Sequence, residues 1–413
     1  MLLRQAKVIN PSSSFHGQTA DILIENGKIS AISSKIDKAD VPEIKVPGLT
    51  ISAGWVDIFA DYREPGYEHK ETIATGLEAA QAGGFTDVLV LPNTNPAIDS
   101  KSGVQALLQR AAGNNVKLHP LGAVSREIAG KALAEMLDMR AHGAVAFTDG
   151  WYPVQNSNLL LKALEYVKAF NGIVIQMPVD AALSAGGLMH EGPISTQLGM
   201  PGIPSLAETL MVHRDIELLR YTGSRMHLTG ISAAQSVAMI RAAKAEGLDI
   251  TCSVTPYHLA LNDEALLHYS SLYKVTPPLR SEADRLALIA GLKDGTIDCI
   301  ASHHRPQDWD AKSKEYEYAG DGMNVQEMVF PIVWNAIGRE VGIERLVDAL
   351  SVSARRIFNL PDITLHEGNA ASFTIFTTED TSIYQQADLK SRGMNNPFLG
   401  QELKGKVLGI ITK

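Results

Sequence analysis

Apolar and polar positions alternate at both ends of the chain and gather into separated runs in the middle. Residues 20–33 (ADILIENGKISAIS) alternate around Asn26-Gly27, a dipeptide suited to a two-residue hairpin turn. Residues 371–376 (ASFTIF) and 405–412 (GKVLGIIT) are strand-like in the same way, separated by Gly, Asn and Pro. Both ends therefore predict β structure.

The middle predicts an alternation. Strand-like apolar runs fall at 54–59, 86–91, 117–122, 144–147, 173–177, 225–229, 248–253 and 297–301. Helical patterns follow them at 71–82, 102–112, 130–141, 158–170, 205–221, 233–246, 283–293 and 325–339. Pro120 interrupts the third run, where a proline would remove a ladder hydrogen bond. Eight strands, each followed by a helix, predict an α/β fold of the (β/α)8 TIM-barrel type. The expected division is a barrel over 51–361 and a small β domain from 1–50 plus 362–413.

A barrel of this type carries its functional groups at the C-terminal ends of the strands. Those ends present Phe59 and Asp61, Asn93, Asp149, Gln176, Gly230, Tyr257 and His258, then His303 and His304.

Composition narrows the classes. The 413 residues are 45% hydrophobic and 20% charged, ordinary for a globular chain with a large core. The formal charge of -9 is dispersed, which argues against nucleic acid or an anionic membrane as the partner. No signal-peptide core and no run of about 18 apolar residues is present, so a cytoplasmic location is expected. Cys252 and Cys299 sit in apolar runs without CxxC spacing, which predicts buried free thiols rather than a zinc–thiolate site.

Several motifs, in order, then point to one family. They are REPGYEHKETIATGLEAAQAGGFTDVLVLPNTNP (63–96), AFTDGWYPV (146–154), GIPSLAETLMVHRDIELL (202–219), YKVTPPLR (273–280), DGTIDCIASHHRP (294–306) and NPFLGQELKGKV (396–407). Over nearly its whole length the chain resembles the dihydroorotases of the amidohydrolase superfamily. The resemblance implies a (β/α)8 barrel with a small β-sandwich domain built from both chain ends. It also implies opening or closing of the cyclic amide of dihydroorotate. One or two zinc ions in that family polarise the amide and generate hydroxide near neutral pH.

Carried over position by position, the family's metal site is largely missing. The His-x-His pair that ends strand 1 is Phe59 and Asp61 here. The strand-5 histidine is Gln176, the strand-6 histidine is Gly230, and the strand-8 aspartate, ligand and general base in the family, is His303. The strand-4 aspartate is kept as Asp149. Arg63 and Asn93 match the substrate-carboxylate clamp, whereas the family Asn of NPPLR is Thr276.

Phe59 and Gly230 offer no donor atom, and a neutral amide such as Gln176 is a poor zinc ligand. No cofactor is therefore expected. Without a metal, His303 is expected to bridge Asp61 and Asp149. The alternative is an active dihydroorotase, or another cyclic amidohydrolase, with a single zinc or manganese rewired onto Asp61, Asp149 and His303. For an inactive homologue the resemblance implies a structural or regulatory role beside aspartate carbamoyltransferase, with self-association also open.

Overall fold

The computed structural model describes residues 1–412. Eight parallel strands form the central sheet: Trp55–Ala60, Phe85–Val90, Lys117–Gly122, Ala146–Phe147, Val174–Gln176, Met226–Leu228, Ile250–Val254 and Cys299–Ile300. Each pairs in parallel with its sequence neighbour, in unbroken order. All eight expected strands are present, including the third. Pro120 is accommodated there, paired opposite Val90.

First and last strands are joined by side chains instead of a ladder. Asp57 accepts hydrogen bonds from the Ser302 backbone N–H (3.0 Å) and from the Ser302 hydroxyl. Gln326 donates a third, at 2.6 Å. One residue beyond the strand, the Asp61 N–H donates to the His304 carbonyl at 2.9 Å. This cross-brace closes the barrel and fixes the position of Phe59, Asp61 and His303.

The helices match the predicted pattern except after strand 3. There the helix covers only Met136–Ala141, not 130–141. Glu127 and Ile128 both adopt positive φ (55° and 57°), and Gly130 follows at 66°. This turn spends the first residues of the predicted helix on a loop at the barrel mouth. A short parallel pair, Met189–His190 with Gly202–Ile203, lies outside the barrel sheet.

Chain ends combine in one seven-stranded mixed sheet. The segment Phe373–Ile383 runs antiparallel to both Leu49–Ala53 and Glu402–Ile411. The Asn26-Gly27 hairpin forms as expected, with φ of 49° and 68° and Glu25 opposite Lys28. Leu3, Val8, Ile22, Ile51 and Phe373 form the core of this sheet. Within the barrel, alternate positions such as Leu89 and Leu91, and Ile175 and Met177, gather with Phe59 and Trp151. Both cysteines are buried free thiols. No helix among the described residues is long and apolar enough to cross a membrane.

Candidate active site at the barrel mouth

Phe59 is fully buried at the end of strand 1. Its ring stacks on His303 with centroids 4.4 Å apart and planes at 27°. Trp151, from the loop after strand 4, meets both rings edge-on, at 5.2 Å and 5.5 Å. Three aromatic side chains thus fill the centre of the mouth, each satisfying the stacked or edge-to-face preference of π systems. The Trp151 indole N–H donates to Asp61 at 2.6 Å, and the Arg63 Nε lies 3.3 Å from the same carboxylate oxygen. Asp61 is therefore the anchor of Trp151 and Arg63.

His303 does not bridge the carboxylates, contrary to the sequence expectation. Its Nε2 shares a 2.8 Å hydrogen bond with the Thr229 hydroxyl, which connects through Ser253 to His227. Nδ1 of His303 is buried without a partner. The residue sits at φ 46°, a costly backbone conformation for a side chain of this size. Gly230 explains the placement. A Cβ there would stand 2.7 Å from the His303 Cε1, and its φ is 70°. The imidazole at 303 fills the space beside position 230, so a side chain at 230 and this rotamer of His303 exclude each other.

Asp149 turns away toward strand 3. One oxygen accepts the backbone N–H groups of Val124 and Ser125, both at 2.9 Å, and the other accepts the Ser125 hydroxyl. Gln176 accepts the Val154 N–H at 3.3 Å, while its amide nitrogen is buried and unpaired. Asp61, Asp149 and His303 are each committed elsewhere. Among the described residues no group of three or more His, Cys, Asp or Glu side chains is arranged to hold a metal ion. The rewired triad is not assembled, and the family's zinc does not fit this donor set: a phenyl ring, a glycine, a strand-end amide and an imidazole stacked on the phenyl ring.

Arg63 and Asn93 do meet. Both line a cavity of about 350 Å³ with Tyr67, Thr94, Trp151 and Tyr152. Asn93 is partly engaged: its amide donates to the Asp149 carbonyl at 3.0 Å and its oxygen accepts the Trp151 N–H at 3.4 Å. Arg63, at φ 60°, donates no side-chain hydrogen bond to the protein among the described residues. Two further cations stand near. Arg305 lies over the Trp151 ring at 4.4 Å, a cation–π contact. Lys70 donates to Gln307 at 2.8 Å, and burial, then the charge of Arg63, pulls its pKa below the usual lysine value.

Buried imidazoles give the mouth a pH signature. Burial holds His227 down to about 3 and His258 down to about 4. His303 is held well below the usual value by burial, then by the charges of His258, His227 and Arg305. In the unfolded chain each titrates near 6.5. Their stabilising contribution is present above that pH and is lost as pH falls toward 4 and 3. Asp149 and Asp215, both raised by burial to about 6, act oppositely between about 4 and 6. Three displaced histidines outweigh two displaced carboxylates. The melting temperature should therefore fall on acidification from pH 6.5 to 4, with a shallower dependence in His227→Gln. A melting temperature that rises over that range contradicts this assignment.

Trp151, Tyr152 and Thr229 were not singled out from the sequence. The first two stand inside the AFTDGWYPV motif, and an aromatic pair just past a strand end was the available signal. Nothing in the sequence marked Thr229 as the partner of His303.

Comparison with known proteins agrees with this architecture. A family model described as "Dihydro-orotase-like" matches residues 48–236. The chain is 41% identical to a protein named dihydroorotase from Syntrophus aciditrophicus, covering 100% of this chain and 98% of that one. It is 40% identical to the one from Pelotomaculum thermopropionicum, covering 98% and 95%. Among solved structures, the L-hydantoinase (dihydropyrimidinase) of Arthrobacter aurescens superposes with a TM-score of 0.85 at 22% identity, over 100% of this chain and 94% of that one. The dihydropyrimidinase of Brevibacillus agri gives 0.82 at 20%, over 100% and 93%. These structures share the fold, and with curated relatives this similar along their full length, the chain belongs to the dihydroorotase family.

Proposed function

We propose that this member of the pyrimidine-biosynthetic dihydroorotase family lacks ring-opening catalysis and needs no metal. In this reading it is a cytoplasmic protein that serves as a structural or regulatory partner of aspartate carbamoyltransferase. The observation that carries the reading is the Phe59–His303 stack packed against Gly230. The curated relatives bear the name dihydroorotase, and their reaction needs an activated water and a stabilised oxyanion. Here two of the strand-end positions that serve those tasks in the family, 59 and 303, are occupied by packed aromatic rings. His303 is fully buried and stacked on Phe59, and burial favours its neutral form.

What the residues support is binding. Arg63, its Nε beside the Asp61 carboxylate, lines a polar cavity, and Asn93 holds the strand-4 loop beside it. Orotate or carbamoyl-aspartate should bind in roughly the millimolar to high-micromolar range that a few polar contacts support. Arg63→Ala should abolish that binding, as read by titration calorimetry, without altering the circular dichroism spectrum. Absence of binding to the unaltered protein would make the arginine a structural brace. The partner is tested by affinity capture from the native cytoplasm. Recovery of aspartate carbamoyltransferase supports the reading, and a clean capture without it removes the proposed partner.

A further inference from the structure

A second cavity, about 430 Å³, opens at the mouth on the other side of Trp151 and Tyr152. Ile128, Trp151 and Tyr152 line both spaces, so the two adjoin as lobes across these residues. Their chemistry differs. The first lobe presents the guanidinium of Arg63. The second is walled by Met177, Val179, Pro153, Ala181 and the Ile128 side chain.

Most polar side chains on the wall of the second lobe are engaged from within. Gln155 donates to the Pro153 and Val179 carbonyls and accepts the Ala181 N–H. Thr276 donates to Asp321 at 3.0 Å, and Ser184 donates to the Asp180 carbonyl at 2.7 Å. Asn156 accepts two N–H groups at the start of its helix. Such a wall has little to offer a polar ligand and gains from apolar contact. Between the lobes, Ile128 projects from a turn in which two consecutive non-glycine residues hold positive φ. Backbone strain of this kind concentrates at ligand sites. Tyr152, 65% exposed, offers an aromatic face at the same junction.

We infer that the cleft takes a monocarboxylate with an aromatic or aliphatic body, its carboxylate on Arg63 and its body in the second lobe beyond Tyr152. This rests on the reading of Arg63 as an anion site. It goes beyond that reading by assigning the second lobe and an amphipathic ligand class. The centre of the mouth, filled by Phe59, His303 and Trp151, leaves the route past Ile128 and Tyr152 as the direction in which such a ligand extends.

The test is titration calorimetry of the full chain with acetate, phenylacetate, 3-phenylpropionate and 4-phenylbutyrate. At least one phenyl acid should bind about tenfold or more tighter than acetate, as burying an aromatic ring in an apolar lobe requires. Ala181→Phe, a substitution at an exposed helix position that narrows the second lobe, should bring the phenyl acid to the level of acetate and leave orotate binding unchanged. Arg63→Ala should remove all of them. If phenyl acids bind no tighter than acetate, or Ala181→Phe leaves their advantage intact, the second lobe is not the site and the anion reading survives. If no carboxylate binds, or if binding persists in Arg63→Ala, the anion reading fails and the inference fails with it.

Discussion

Supplied with dihydroorotate or with carbamoyl-aspartate, the protein should show no detectable interconversion, with or without added zinc. A competent enzyme turns over at about 1 per second or faster. Metal-assisted hydrolysis obtains its nucleophile by lowering the pKa of a bound water and obtains its oxyanion stabilisation from the same ion. Here Phe59 and Gly230 contribute no donor, Gln176 is bound to the Val154 N–H, and Asp149 is held by Ser125 and Val124. Asp61 is tied to Trp151 and Arg63. The single reversions Phe59→His, Asp61→His, Gln176→His and His303→Asp should each remain inactive, because the groups of such a site act as a unit. Ring opening followed spectrophotometrically with each variant checks this. Turnover at enzymatic rates in the unaltered chain would overturn the reading.

The second large effect is on stability. Gly230→His, the remaining reversion, should destabilise the fold by about 2–5 kcal/mol. Its Cβ would stand 2.7 Å from His303 in a well-packed interior, an overpacking cost of roughly 1–3 kcal/mol. The left-handed conformation at φ 70° adds about 1–2 kcal/mol for a non-glycine residue. Removing the imidazole with His303→Ala should relieve the clash but not the backbone strain. The double variant should therefore be more stable than the two single losses predict, by about 1–3 kcal/mol. Denaturant melts of the four proteins supply the cycle. Additivity within about 0.5 kcal/mol would show that the two positions do not compete for one space.

The fold was legible because its signals are local and repeated. Eight apolar runs separated by helical periods need no knowledge of partners, and Asn26-Gly27 specifies its own turn. The truncated third helix was missed because periodicity is blind to a strained turn such as Glu127–Ile128. At the site, the motifs located the correct strand ends, and Arg63 and Asn93 share a cavity as their positions implied. What the chain did not disclose is where each side chain turns. Asp149 lies one residue beyond Thr148 and points to strand 3, while His303 turns toward Gly230 because no side chain occupies that space. The presence of two carboxylates and an imidazole at strand ends suggested a cluster. Their hydrogen-bond partners, contributed by the segments that follow strands 3, 4 and 6, keep them apart.

The central claim is that this barrel no longer holds a water-activating metal. Elemental analysis of protein purified without chelator, dialysed against zinc and then against metal-free buffer, tests it most directly. The account predicts well under one equivalent of zinc per chain. One full equivalent of zinc or manganese, lost on substitution of Asp61, Asp149 or His303, would contradict it.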